Sequence, residues 1–120
     1  MKTTLRQRFY FEAAHTLERQ VEKESSRRIH GHTYLAEISV SGTPDPATGM
    51  LLDLGQFRKH LDAVRERLDH RLLDDVEGLG APTLENLCRF IAAGLRETLP
   101  NLSAVEVGRE PSGDYCRLDL

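Results

Sequence analysis

The chain contains little cysteine, no long apolar run and no excess of positive charge. Its 120 residues include only two cysteines. Because the N-terminus also lacks the apolar core of a signal peptide, we expect free thiols in a cytoplasmic protein rather than a disulfide. No apolar run approaches the roughly 18 residues of a membrane span. The net charge of -3 argues against the global basic field of a nucleic-acid-binding protein. These absences leave small molecules and protein subunits as the expected partners.

The hydrophobic pattern predicts two strands, two helices and two strands within a single domain, residues 1–120. Alternating apolar and polar residues indicate the strands, and apolar residues at three- and four-residue steps indicate the helices. Asp53 and Thr83 are the predicted N-caps, and the first helical pattern runs down to the pair Asp69 and His70. The order ββααββ predicts an α+β domain with two helices on one face of a four-stranded antiparallel sheet. The predicted strands are residues 4–13, 34–42, 102–107 and 115–118.

The predicted sheet leaves two edge strands exposed. Edge strands are commonly hidden by pairing with another chain, so we expect a homo-oligomer. The charged stretch at 17–28, LERQVEKESSRR, has no clear apolar face and is typical of a surface loop, which often carries function.

Three histidines occur in two short stretches that could bring them to one metal ion. His15 closes the run FYFEAAH, and His30 and His32 flank the glycine of HGH. Residues two apart in an extended chain point to the same face, so the HGH rings can lie side by side while His15 arrives from a neighbouring strand. Each stretch alone is more readily interpreted as structural, because histidine is often partly buried. Together they predict a zinc site with an open fourth position, which is typical of catalytic zinc.

Six segments follow one another along the chain in a characteristic order. They are FYFEAAH, HGHTY, DPATGMLLDL, LDHRLLDD, PTLENL and the region of Glu110. In order and spacing they resemble the 6-pyruvoyltetrahydropterin synthase family, and the short length is most similar to its 6-carboxytetrahydropterin synthase branch. The resemblance implies a T-fold (tunnelling fold) subunit that assembles into trimers or hexamers with active sites between subunits. It also implies that zinc is bound by His15, His30 and His32.

The resemblance implies roles for four further residues. Asp69 and His70 would take part in proton transfer, for which imidazole is well suited at neutral pH. Glu110 would anchor the pterin ring, since a carboxylate can accept two hydrogen bonds from an amino-pyrimidine edge, and Thr83 would be a second substrate contact. The structural alternatives are a histidine that complements the helix dipole and a solvated surface glutamate.

The implied substrate is 7,8-dihydroneopterin triphosphate. In the 6-carboxytetrahydropterin branch, triphosphate and acetaldehyde leave and a carboxylate remains at C6, on the way to 7-deazaguanine and queuosine. Arg27 and Arg28 are candidate triphosphate contacts, because guanidinium groups match phosphate oxygens. Solvated loop charges are an equally good interpretation of this arginine pair.

Ser26 departs from the family pattern. The family has a catalytic cysteine four residues before the first histidine of HGH, and this chain has a serine there. A thiol starts from a pKa of about 8.5 and can be lowered further, whereas an alcohol without a dedicated base stays protonated. Glu24, on the same stretch, could replace the missing base.

The sequence is compatible with several functions. The chain could be a Cys-to-Ser form of a synthase, a paralogue with altered lyase or aldolase-like chemistry, or a pterin-binding protein without turnover. A zinc-hydroxide hydratase accounts for the histidines but leaves the other motifs unexplained.

Overall fold

The computed structural model describes residues 1–17, 20–21, 24 and 27–120. Ser26 and five other residues of the stretch predicted as a loop lie outside the described residues. The described elements are β1 (Thr3–His15), β2 (His30–Gly42), α1 (Leu54–Glu66), β3 (Arg71–Leu72), a 3-10 helix (Leu73–Asp75), α2 (Leu84–Leu95), β4 (Leu102–Arg109) and β5 (Asp114–Asp119).

The strands form one sheet in the order β3-β1-β2-β4-β5. β1 pairs with β2 along its whole length, β2 pairs with β4, and β4 pairs with β5, all antiparallel. This confirms the predicted four-stranded antiparallel sheet. The additional strand, β3, has two residues and pairs parallel with β1. It is too short to show the alternation from which a strand is recognised in a sequence.

The core lies between one face of the sheet and the two described helices. Along β1, the side chains of Phe9, Phe11 and Ala13 are buried and alternate with exposed neighbours, as expected for a strand with one covered face. The helices contribute apolar residues spaced by three or four positions. The fully buried residues among them are Phe57, Leu61, Leu87, Ile91 and Leu95. Neither helix has an apolar segment long enough to cross a membrane.

Both predicted N-caps are confirmed. The backbone N–H of Gln56 donates to Asp53 Oδ1 over 2.9 Å, and that of Asn86 donates to Thr83 Oγ1 over 3.1 Å. Each cap satisfies an N–H that has no partner within its helix. The start of α2 is therefore fixed at Thr83, beside the end of β1.

The predicted end of the first helix was wrong by three residues. α1 ends at Glu66, not at the pair Asp69 and His70. The N–H of His70 donates to the carbonyl of Glu12 over 2.6 Å, and the N–H of Glu12 donates to Asp69 Oδ1 over 2.9 Å. These bonds to β1 draw the chain out of the helix, and His70 takes a left-handed φ of 58°, which is uncommon for residues other than glycine.

The two cysteines are free thiols, as predicted. The thiol of Cys88 is buried and donates to the carbonyl of Cys116 over 3.3 Å. Burial and the neighbouring Cys116 raise the pKa of Cys88 to about 12, so this thiol stays protonated at neutral pH.

Candidate functional site

The pairing register of β1 and β2 brings the three histidines to one face of the sheet. His15 lies opposite His30, and His32 lies opposite Ala13, two residues before His15. Directly opposed residues of an antiparallel pair point to the same face, as do residues two apart in one strand. His15 Nε2 lies 3.0 Å from His30 Nε2 and 3.1 Å from His32 Nε2. The cluster thus occupies the last rungs of the longest strand pair in the described sheet.

Backbone carbonyls fix the orientation of two of these rings. His15 Nδ1 lies 3.1 Å from the carbonyl oxygen of Pro82, and His30 Nδ1 lies 2.6 Å from that of Arg28. A carbonyl can only accept, so each Nδ1 carries a proton, and in the neutral form of each ring the lone pair is on Nε2. Such a partner on the second nitrogen is the usual support of a metal-bound histidine.

The donor set fits a metal ion. The Nε2 atoms of His15 and His30 lie 3.0 Å apart; in the neutral rings both carry lone pairs, and a cation between them would turn this contact from repulsive to attractive. Two nitrogens bound to one tetrahedral zinc, each at about 2.0–2.1 Å, lie about 3.3 Å apart. The ligand atoms of His15, His30 and His32 all lie within 4.8 Å of one another. Three imidazoles without thiolate or carboxylate are a set that zinc accepts readily.

Burial keeps two of the histidines neutral. His15 is only 3% exposed, and its burial, together with the charges of His30 and Arg109, lowers its pKa below the ordinary value despite the bond to Pro82. Burial, followed by the charge of Arg109, lowers the pKa of His32 to about 4. Both rings are therefore uncharged at neutral pH, which is the state that binds a metal.

Arg109, which the sequence did not point to, contacts the cluster directly. Its Nη1 donates to His32 Nε2 over 3.2 Å, and its Nη2 lies 3.1 Å from Asp114 Oδ2. Its Nε is buried and has no hydrogen-bond partner among the described residues. The alternation of β4 could have indicated this residue, because Val105, Val107 and Arg109 share the face of the sheet that carries the core.

Two other unpredicted residues support His15. The Tyr34 hydroxyl lies 3.4 Å from His15 Nδ1, and burial raises the pKa of Tyr34 to about 12. Asp74 accepts hydrogen bonds from both the backbone N–H and the hydroxyl of Thr16, the residue that follows His15. The end of β1 is thereby tied to the 3-10 helix.

Asp69 and His70 contact each other next to β1. His70 Nδ1 lies 2.9 Å from Asp69 Oδ2, and Arg65 Nη2 lies 3.1 Å from the same oxygen. Partial burial acts to raise the pKa of Asp69, but the hydrogen bonds from Glu12 and His70 and the charge of Arg65 outweigh it and lower that pKa. The pair is thus a carboxylate that holds one nitrogen of an exposed imidazole.

Two grooves flank the histidines. One, of about 490 Å³, is lined by both His32 and His70. The other, of about 410 Å³, lies on the side of α2 and is lined by His15, Thr83 and Arg109 among others. The histidine cluster therefore borders the second groove, whereas the first, which His70 borders, is also lined by Glu12, Ala14, Gly31 and Thr33 on the opposite face of the sheet.

The remaining predicted site residues lie at exposed positions. Glu110 is exposed in the turn between β4 and β5, where its carbonyl accepts the N–H of Gly113 over 3.1 Å. Arg27 and Arg28 are exposed just before β2, where the carbonyl of Arg28 supports the cluster. Ser26 lies outside the described residues.

Comparison with known proteins assigns the chain to a family. The family described as 6-pyruvoyl tetrahydropterin synthase matches residues 4–119. The 6-carboxy-5,6,7,8-tetrahydropterin synthase of Synechocystis sp. is 40% identical over 105 residues, which cover 82% of this chain and 80% of that protein. The dihydroneopterin monophosphate aldolase of Pyrococcus furiosus is 34% identical over 100 residues, 83% of this chain and 81% of the other.

A solved structure has the same fold. The 6-pyruvoyl tetrahydropterin synthase of Caenorhabditis elegans superposes with a TM-score of 0.86 at 23% identity and covers 100% of this chain and 96% of its own. This likeness confirms the T-fold. With the match over residues 4–119, it follows that the chain belongs to the 6-pyruvoyl tetrahydropterin synthase family.

Proposed function

We propose that the chain is a zinc-dependent lyase of the 6-carboxytetrahydropterin synthase type that acts on 7,8-dihydroneopterin triphosphate. The convergence of the His15, His30 and His32 nitrogens at the ends of two paired strands carries the proposal. The Synechocystis relative, whose name states this activity, supports it over 82% of the chain. We further propose that the chain forms a trimer or hexamer in the cytoplasm, with active sites between subunits. Its product would be used in 7-deazaguanine and queuosine synthesis.

The histidine cluster holds the metal and keeps its surroundings ordered. A zinc ion bound there would supply a Lewis acid for the oxygens of the substrate side chain. The carbonyls of Pro82 and Arg28 orient His15 and His30, so little reorganisation is needed when a ligand binds. Burial of His15 excludes water from the side of the cluster that faces the core.

His70 moves the proton in this proposal. Asp69 binds His70 Nδ1, which directs the free Nε2 to the substrate and stabilises the imidazolium after it accepts a proton. The N–H of Glu12 and the guanidinium of Arg65 hold Asp69 in turn. The hydrogen bond between His70 and a carboxylate whose pKa is lowered supports this role.

The substrate contacts are proposed from the family pattern. Glu110 would bind the amino-pyrimidine edge of the pterin, and Thr83 would contact the substrate from the start of α2. Arg27 and Arg28, exposed before β2, would contact the triphosphate. Ser26 occupies the position of the family cysteine, and Glu24 is the carboxylate available to assist it.

Product analysis tests the proposal. The zinc-loaded protein and its Ser26→Cys variant are incubated with 7,8-dihydroneopterin triphosphate, and products are identified by mass spectrometry. We expect 6-carboxytetrahydropterin and acetaldehyde, in higher yield from the variant because a thiolate is the better base. Product from the serine form alone would assign the base to another group. Pterin binding without any product from either form would contradict the proposal.

A second function is favoured by one relative. The aldolase of Pyrococcus furiosus is 34% identical over 83% of the chain, and an aldolase-like reaction could proceed without the family cysteine. This function predicts that the two-carbon fragment leaves as glycolaldehyde still carrying the phosphate groups and that a hydroxymethyl group remains at C6, instead of acetaldehyde, free triphosphate and a C6 carboxylate. The same mass-spectrometric experiment therefore separates the two reactions.

A further inference from the structure

The guanidinium of Arg109 is incompletely paired at the centre of the site. Its Nη2 is bound to Asp114 and its Nη1 to His32 Nε2, while its Nε is buried without a partner among the described residues. The side chain is only 20% exposed. A buried cation of this kind requires acceptors, because each unpaired donor loses its hydration without compensation.

Metal binding and the bond from Arg109 compete for the same lone pair. An unprotonated imidazole Nε2 has a single lone pair, so His32 cannot accept from Arg109 Nη1 and bind a metal at the same time. When His32 binds the metal, Nη1 loses its acceptor but stays close, since Asp114 still holds Nη2. The loaded site then has an excess of positive charge next to a free N–H donor, where an anionic oxygen would be stabilised.

We propose that Arg109 is a specificity-determining residue that binds a carboxylate at C6 of the pterin once the metal has displaced it from His32. This inference rests on the proposed function, because it takes the pterin ring as the ligand. A C6 carboxylate is anionic, whereas a C6 hydroxymethyl or pyruvoyl group is neutral. Arg109 therefore favours the carboxylate-forming branch of the family over the pyruvoyl-forming one.

Two pterins with the same ring provide the test. The affinities of pterin-6-carboxylate and 6-hydroxymethylpterin are measured by calorimetry on the zinc-loaded protein, on Arg109→Gln and on the control Arg117→Gln. Arg117 is also paired with a nearby aspartate, Asp119, but its alternation along β5 places it on the opposite face of the sheet. We expect the protein and the control to prefer the carboxylate, and Arg109→Gln to reduce that preference by about 10- to 100-fold, the range for a lost charge-assisted hydrogen bond.

Zinc affinity provides a readout that a merely structural role would not give. Because Arg109→Gln removes a positive charge and a competitor for His32, we expect it to bind zinc as tightly as the unchanged protein or more tightly. A residue that only maintained the fold would, when replaced, weaken zinc and both pterins together. If circular dichroism shows that Arg109→Gln does not fold, Arg109→Met, which keeps a long packing stem, is used with the same expected result.

The possible results distinguish a failure of the proposed role of Arg109 from a failure of the proposed function. An undiminished carboxylate preference in the folded variant, or equal affinity of the unchanged protein for both pterins, would overturn the role of Arg109 and leave the pterin site intact. If neither pterin binds to any form, the proposed function fails and the inference fails with it.

Discussion

At the residue scale, the histidine cluster is defined by the contacts of the second ring nitrogens of His15 and His30 and by the burial of His15 and His32. Carbonyl acceptors fix His15 and His30, and burial keeps His15 and His32 neutral. The cluster is therefore prepared to bind a cation before one arrives. This preparation comes from β-strand register and from the turn that places Pro82, rather than from the histidines alone.

Replacement of His32 should abolish stoichiometric metal binding. Loss of a partner behind a ligand typically costs about 10- to 100-fold in metal affinity, so loss of a ligand should cost more. We expect His32→Ala to retain less than one zinc per chain after dialysis, whereas His60→Ala, a change on α1, retains the full amount. The zinc content of each variant is measured by mass spectrometry. Equal zinc in both variants would contradict a three-histidine site.

Replacement of Asp74 should destabilise the protein in a pH-dependent way. Burial acts to raise the pKa of Asp74, but the bonds from Thr16 lower it overall, so ionised Asp74 stabilises the fold at pH values above its unfolded pKa of about 3.9. We expect Asp74→Asn to lose about 1 kcal/mol of unfolding free energy at pH 7. The difference should vanish as the pH falls through the folded-state pKa.

Asp75→Asn is the matched control, since it changes the same charge one residue away. Urea unfolding at several pH values compares the two variants. A deficit of Asp74→Asn that persisted unchanged in acid would assign it to packing rather than to the ionised carboxylate.

Residue identity predicted the histidines but not Arg109 or Tyr34. The two histidine stretches, taken together on neighbouring predicted strands, were sufficient to predict that the three rings cluster. The contact between Arg109 and His32 depends instead on the register of β4 with β2, in which Leu35 lies opposite Gly108. A register is set by many long-range pairs, and a single sequence does not reveal it.

At the element scale, local chemistry determined where helices begin but not where α1 ends. The caps at Asp53 and Thr83 are local signals and were predicted. The exit from α1 was not, because it depends on hydrogen bonds between Glu12 on β1 and the pair Asp69 and His70. Those bonds place His70 at a groove beside Glu12 and Thr33, so the prediction failed at a residue with a proposed functional role.

Loss of the α1 cap should cost stability without affecting the metal. Asp53→Ala removes the acceptor of the Gln56 N–H, and we expect the unfolding free energy to fall by about 1 kcal/mol. Asp53→Asn should retain most of it, because asparagine caps equally well. Thermal unfolding and zinc content are measured together, and an equal loss in both variants would argue against the capping role.

At the scale of the whole molecule, the sheet ends in strands that no described element covers. β5 forms one edge of the sheet and β3 forms the other. Because β3 has only two residues and pairs only with Ala13 and Ala14, it covers only a short part of β1. Edge strands of this kind are commonly paired with another chain. We expect a trimer or hexamer in solution, and light scattering coupled to size-exclusion chromatography measures the mass. A monomer that still turned over substrate would contradict active sites between subunits.

Turnover as a function of added zinc tests the central claim most directly. Metal-free protein is titrated with zinc, and 6-carboxytetrahydropterin formed from 7,8-dihydroneopterin triphosphate is measured at each step. We expect no product without metal, a linear rise and a plateau at one zinc per chain, with no rise in His32→Ala. Product formation that is independent of zinc, or equal in His32→Ala, would contradict a pterin lyase built on His15, His30 and His32.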